Sequence, residues 1–190
     1  MKIILASKSP RRKQLLKKIL NNFKIIDSKL DENKIKLDTP KKYCLNLAQL
    51  KAKNITKRFP DDLIIAADTI VCIKNNILGK PSNYNEAFEM IKSLSNCTHT
   101  VYTGVSIISK NNKINVNFVE KTDVTFYNLS DKEIKDYINT DKPFDKAGSY
   151  GIQDGSQLFV KSIKGSYENV IGLPISKIYR YFIELNIINL

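Results

Sequence analysis

A chain of 190 residues buries on the order of 70% of its unfolded surface, so one compact domain over 1–190 needs neither disulfides nor a structural metal. Its formal charge is +12, from 31 Lys and Arg against 19 Asp and Glu, yet arginine occurs only at positions 11, 12, 58 and 180 and the lysines are scattered along the whole length. Without a clustered basic face or interleaved aromatics, this argues against a nucleic-acid-binding protein and for an incidentally basic surface. Cys44, Cys72 and Cys97 lie far apart without metal-ligand spacing, as expected of reduced core thiols in a cytoplasmic protein. No apolar run reaches the length of a membrane span, and the N-terminus opens straight into a strand pattern, so a soluble, unprocessed protein with no membrane partner is expected.

The pattern predicts a buried strand over 2–6, a helix over 10–20, a strand over 23–28 and a longer helix from Thr39-Pro40 to about residue 58. A further buried strand runs from Leu63 through Ile73 to a turn at Asn75-Asn76. Asn83 with Glu86 forms a capping-box pattern that opens a helix through Ala87, Met90, Ile91 and Leu94. Residues 99–109 and 113–126 read as a long hairpin about Asn111-Asn112, and Ser130 with Glu133 starts a short helix to about Asn139. Two short strands near 157–163 and 167–171 precede a last helix begun by Pro174, with Ile175, Ile178, Tyr179, Phe182 and Leu185 on one face. The expected class is α/β, with a cleft between any two lobes that share one sheet as the natural site.

Several residues break these patterns. Ser7-Lys8-Ser9-Pro10-Arg11-Arg12 puts two cations in the first turn of a helix that Ser9 caps, where free N–H groups and the macrodipole already favour an anion. A strand running into such a turn can hold phosphate, although two solvated arginines explain the segment equally well. Asp68 interrupts the apolar stretch from Leu63 to Val71, and a carboxylate there needs a partner, a metal or an opening to water. Small Ala66 and Ala67 leave room for a ligand beside it, and Thr69 adds a hydroxyl; the alternative is a strand-end aspartate that caps a turn.

Lys51 falls in the buried stripe Cys44, Leu47, Ala48, Lys51, Ile55, either for a function or as a lysine that snorkels to water. Lys80 in Leu78-Gly79-Lys80-Pro81 decides nothing alone. Asp31-Glu32 can supply oxygens to a hard divalent cation or simply be solvated. The loop Phe144-Asp145-Lys146-Ala147-Gly148-Ser149-Tyr150-Gly151-Ile152-Gln153 allows close backbone approach, and the Gln153 amide can read a base edge. His99, the single histidine, reads as structural.

Together, Leu5-Ala6-Ser7-Lys8-Ser9-Pro10-Arg11-Arg12, Ala67-Asp68-Thr69-Ile70-Val71, Gly79-Lys80-Pro81, Asp145 through Gln153 and Gly172-Leu173-Pro174 closely resemble the Maf family of nucleoside triphosphate pyrophosphatases. The resemblance covers nearly the whole chain, and Ser-Pro-Arg-Arg, Asp68-Thr69 and Gly151-Ile152-Gln153 look like the branch acting on dTTP and UTP rather than on 7-methyl-GTP. It implies a mixed, elongated sheet flanked by helices, two lobes around a deep cleft as in the inosine-triphosphate pyrophosphatases, and often a homodimer. Those relatives carry Ser-x-Asn with a downstream lysine where this chain has Ser7 through Arg12.

The resemblance implies an enzyme that hydrolyses a nucleoside triphosphate, dTTP or UTP and also CTP or modified pyrimidines, to the monophosphate and pyrophosphate. By the same analogy Asp68 is the proton acceptor, and Glu32 with Asp68 holds a divalent cation such as magnesium or manganese. Ser7, Ser9, Arg12, Lys51 and Lys80 serve the triphosphate, while Arg11, Thr69 and Gln153 govern substrate choice. The chain departs from the family pattern at Asp154, where glycine is common and base selectivity or loop motion is affected, and at Asp31, where the acidic pair is commonly Glu-Glu. A nucleotide-binding regulator of cell division or growth without essential catalysis is the alternative that the same family allows.

Overall fold

A computed structural model describes residues 1–30, 35 and 39–188, and a seven-stranded mixed sheet organises them. In chain order the elements are β1 (Ile3–Leu5), α1 (Pro10–Lys17), β2 (Lys24–Ile25), α2 (Pro40–Thr56), β3 (Leu63–Ile73), β4 (Asn76–Leu78), α3 (Tyr84–Leu94) and β5 (Thr98–Ser109). There follow β6 (Ile114–Phe126), α4 (Asp131–Asp141), β7 (Val160–Lys164), α5 (Tyr167–Ile171) and α6 (Ile175–Glu184), with short 3-10 turns at Pro143–Asp145, Ala147–Ser149 and Gly155–Phe159. The strand order is β2-β1-β3-β5-β6-β7, parallel among the first three and antiparallel from β3 onward, and β4 adds to β3. This is the expected mixed α/β architecture.

Alternation along the strands separates two cores. Ile4 and Ala6, with Ile64 and Ala66 of β3, meet Ala52 and Ile55 of α2 on one face. Leu5, with Leu63, Ile65, Ala67 and Val71, faces the larger core built with α1, α3, α4, α5 and α6. The helix starts follow the expected local chemistry: Asn83 accepts from Glu86 N at 2.9 Å, and Ser130 with Glu133 closes a full capping box.

Four expectations are corrected. The strand expected near 157–163 begins only at Val160, after the 3-10 turn Gly155–Phe159. Residues 167–171 form a helical turn instead of a strand, because Ser166 Oγ accepts from Asn169 N at 3.1 Å and this cap overrides the β-branched Val170 and Ile171. Ala66 and Ala67 leave no ligand space, since both are sealed in the two cores. The second expected strand is reduced to Lys24–Ile25, and β4 is an addition. His99 is structural as expected: its Nε2 lies 2.8 Å from Tyr150 Oη, its ring packs edge-on against Phe126, and burial pushes its pKa down to about 4. No helix among the described residues is long and apolar enough to cross a membrane.

Candidate active site

β1 ends at Leu5 and pairs with β3 only as far as Ile65, while β4 joins β3 only from Val71 onward. Between them the β3 edge from Ala66 to Ile70 has no strand neighbour on that side among the described residues. Asp68 and Thr69 lie in this gap and point to opposite faces of the sheet, Asp68 toward α2 and Thr69 toward α1.

Asp68 has the partner that its burial demands. Lys51 Nζ stands 2.6 Å from Asp68 Oδ1, with side-chain exposures of only 10% and 11%. Lys51 does not snorkel, because α2 lies too close to the sheet. Gly104 of β5, the register partner of Asp68, is what permits that approach: a Cβ there would stand 2.5 Å from the Cys44 carbonyl oxygen of α2. Burial pushes the Cys44 thiol up to about 12, and the negative charge of Asp68 adds to the shift, so this cysteine is an inert packing group.

On the other face the loop after β1 organises the start of α1. Ser9 caps the helix and accepts from Arg12 N at 3.4 Å, with Pro10 at the first helical position and no acidic side chain in that turn. Ser7 Oγ accepts from Ser9 N at 3.2 Å and from Arg12 Nη1 at 3.3 Å. Arg12 also donates Nε to Gly172 O at 2.9 Å and Nη2 to Thr69 Oγ1 at 3.0 Å, so it ties α1 to β3 and to the turn before α6. The Arg12 guanidinium is held by acceptors of the protein rather than solvated.

The loop Asp145 through Gln153 closes the third side. Gly148 has φ +67°, donates its N–H to Gly79 O at 2.9 Å, and passes so near Val71 that a Cβ would stand 2.9 Å away, which brings Lys80 beside the loop. Arg11 Nη1 meets Asp145 Oδ2 at 3.2 Å, and Lys146 Nζ lies 3.4 Å from Asp145 and 3.0 Å from Asp154. Burial alone would raise the Asp145 carboxyl, but Lys146 and Arg11 outweigh it and hold it below the usual carboxylate range. Asp154 is thus absorbed into an ion-pair chain and stands at the start of the 3-10 turn that follows.

Three adjoining depressions share Lys80. One is lined by Ser7, Ser9, Arg11, Arg12, Lys51 and Asp145. A second, of about 150 Å3, has Arg11, Arg12, Thr69, Lys146, Tyr150 and Gln153 in its wall, and the third takes in Asp68 and Thr69. The structure therefore gathers Ser7, Ser9, Arg11, Arg12, Lys51, Asp68, Thr69, Lys80 and Gln153 around one concavity, with Lys80 and Gln153 exposed at its rim. Glu32 and Asp31 lie outside the described residues. Lys146, Tyr150 and the buried Thr103 behind Thr69 were missed by the sequence reading, and in the threonine- and serine-rich β5 nothing singles Thr103 out.

Among the described residues no three His, Cys, Asp or Glu side chains gather to hold a metal. A hard divalent cation needs only one or two carboxylates when phosphate oxygens complete its shell, so the single carboxylate of Asp68 beside a cation-lined depression fits an ion that arrives with a phosphate ligand.

The chain is 49% identical over 180 residues to a protein of Carboxydothermus hydrogenoformans named dTTP/UTP pyrophosphatase, covering 95% of this chain and 96% of that one. It is 52% identical over 179 residues to a protein of the same name from Thermosipho africanus, covering 94% and 91%. Among solved structures, that of a HAM1 protein from Coxiella burnetii overlaps 66% of this chain and 73% of its own, at a TM-score of 0.48 and 14% identity. Residues 2–185 match the family described as Maf-like protein, and the chain belongs to that family.

Proposed function

We propose that the protein is a nucleoside triphosphate pyrophosphatase that takes dTTP or UTP and water to the monophosphate and pyrophosphate. The observation that carries this reading is a buried carboxylate, Asp68, at one wall of a concavity whose other walls hold Ser7, Arg12, Lys51 and Lys80. The two similar proteins carry the same activity in their names.

In this reading the triphosphate lies along the N-terminus of α1, where free N–H groups, Ser7, Ser9 and Arg12 favour an anion, and Lys80 neutralises it from the opposite rim. Asp68 accepts the proton of the attacking water as its oxygen bonds to the α-phosphorus and the bond from that phosphorus to the bridging oxygen breaks, with pyrophosphate leaving. Lys51 compensates the charge of Asp68. A divalent cation, magnesium or manganese, would be held by Asp68 and Glu32 with phosphate oxygens, where it would neutralise charge on the leaving group. Arg11, Thr69 and Gln153 line or border the small cavity and choose the base. The resemblance adds a homodimer, two lobes within the single domain and a cytoplasmic setting.

The test is the product formed from dTTP and UTP with and without a chelator. Pyrophosphate and the monophosphate, lost when the metal is removed, are expected; orthophosphate with a remaining diphosphate would overturn attack at the α-phosphorus.

A further inference from the structure

Asp145 borders two hollows at once. Among the described residues it is the one carboxylate in the wall of the small cavity, and it also lines the depression beside the start of α1. The wall that these two hollows share is made by Ser9, Arg11, Arg12, Lys80 and Asp145. Three of those side chains are cations, and Ser9 Oγ already caps α1 by accepting from Arg12 N at 3.4 Å. Asp145 is therefore the strongest hydrogen-bond acceptor between the hollows.

Its carboxylate is open to a ligand, while its backbone is fixed. The side chain is 63% exposed, and Asp145 ends the 3-10 turn Pro143–Asp145, which Lys146 N closes by donating to Pro143 O at 3.2 Å. Arg11 Nη1 donates to Oδ2 at 3.2 Å, and Lys146 Nζ lies 3.4 Å from Oδ1. An ionised carboxylate offers about four lone-pair positions, so these two cations leave roughly half of them free. The same cations offset the repulsion between Asp145 and a phosphate chain nearby.

A nucleotide with its base in the small cavity and its phosphates along α1 lays its sugar across the shared wall. A carboxylate there repels phosphate but accepts a hydrogen bond from a sugar hydroxyl. dTTP and UTP differ at the 2′ carbon, and the hydroxyl they have in common is the one at the 3′ carbon. We propose that Asp145 accepts a hydrogen bond from the 3′-hydroxyl of the substrate and so determines which sugars the site takes, independently of the base. This rests on the proposed nucleoside triphosphate reading.

The experiment compares kcat/KM for pyrophosphate release from dTTP and from 2′,3′-dideoxythymidine triphosphate, which keeps the base and the phosphates and lacks only the 3′ oxygen. It uses the wild type, Asp145→Ala and Asp145→Asn, with folding followed by circular dichroism. The wild type should prefer dTTP by about tenfold to a hundredfold, because a site that pairs a hydroxyl with a charged acceptor disfavours the analogue lacking it. Asp145→Ala should reduce that preference to about twofold or less, and Asp145→Asn, a neutral and weaker acceptor of the same shape, should fall between the two. Loss of the Arg11 ion pair would lower both substrates together, so the ratio isolates the sugar contact. A wild type that treats the two nucleotides alike, or a ratio unchanged in either variant, overturns the sugar contact and leaves the pyrophosphatase reading intact. A wild type that releases pyrophosphate from neither nucleotide overturns the functional reading and the sugar contact with it.

Discussion

Lys51 Nζ and Asp68 Oδ1 stand 2.6 Å apart, one on α2 and the other on β3, and both side chains are about nine-tenths buried. Each is the other's charge compensation, and the pair also pins the helix to the strand edge where the site opens. Removing one partner of a buried pair leaves an uncompensated charge and costs about 3–5 kcal/mol, far more than an exposed pair contributes.

Lys51→Met should therefore lower unfolding free energy by about 3 kcal/mol, and adding Asp68→Asn should recover much of that loss. Urea denaturation of the wild type, both single variants and the double variant measures the coupling. Strictly additive losses would show that the two groups do not depend on each other.

Asp68→Asn alone preserves size and removes the base. Pyrophosphate release should fall by about 10² to 10⁴ with the far-ultraviolet circular dichroism unchanged. Wild-type turnover in this variant would remove Asp68 from the role of proton acceptor.

Gly104→Ala tests how the pair is delivered. The added Cβ would stand 2.5 Å from the Cys44 carbonyl, a backbone atom that cannot swing aside, so α2 must lift from the sheet and carry Lys51 away from Asp68. A stability loss of about 1–3 kcal/mol is expected from such overpacking, with pyrophosphate release reduced as well. Thermal denaturation and the pyrophosphate assay, run on the same preparation, read the two effects.

Acid sensitivity should trace to His99. Burial lowers its pKa to about 4, against 6.5 in the unfolded chain, and nearby Asp123 only partly offsets this. Below pH 6.5 the unfolded state binds a proton that the native state refuses, so unfolding free energy falls as pH drops from 6.5 to about 4 and is fully present above that window. The loss amounts to about 3 kcal/mol across the window, at about 1.4 kcal/mol per pH unit. Denaturation at pH 7 and pH 5 should show it, and His99→Gln should flatten the difference even though it starts from a lower stability.

Gln153 and Lys80 should fail in different ways. Both border the small cavity, but only Lys80 also borders the two other depressions. Gln153→Ala should alter the ratio of kcat/KM between pyrimidine and purine triphosphates, whereas Lys80→Ala should lower all of them by a similar factor. Steady-state kinetics on dTTP, UTP, CTP and GTP decide between these outcomes.

Local chemistry makes much of the fold legible in the residues themselves. Caps at Ser9, Asn83 and Ser130 start α1, α3 and α4 where the residues place them, because a side chain that satisfies a free N–H acts within a few residues of itself. The same short range explains the anomaly of Arg11 and Arg12 at a helix start, the polar break at Asp68 and the lysine in the buried stripe of α2. It failed at Tyr167–Ile171, where Val170 and Ile171 suggested a strand and the Ser166 cap formed a helix.

What tertiary structure alone decided is which of these residues meet. Lys51 reaches Asp68 across 17 positions, Thr69 reaches Thr103 across 34, and Arg12 reaches Gly172 across 160. No local preference encodes those pairings; they follow from the parallel return of β3 beside β1, the register of β3 on β5, and the close approach of α2 that Gly104 allows. Residue types announced which groups could not be left alone in a core, and only the packing of strands and helices supplied their partners.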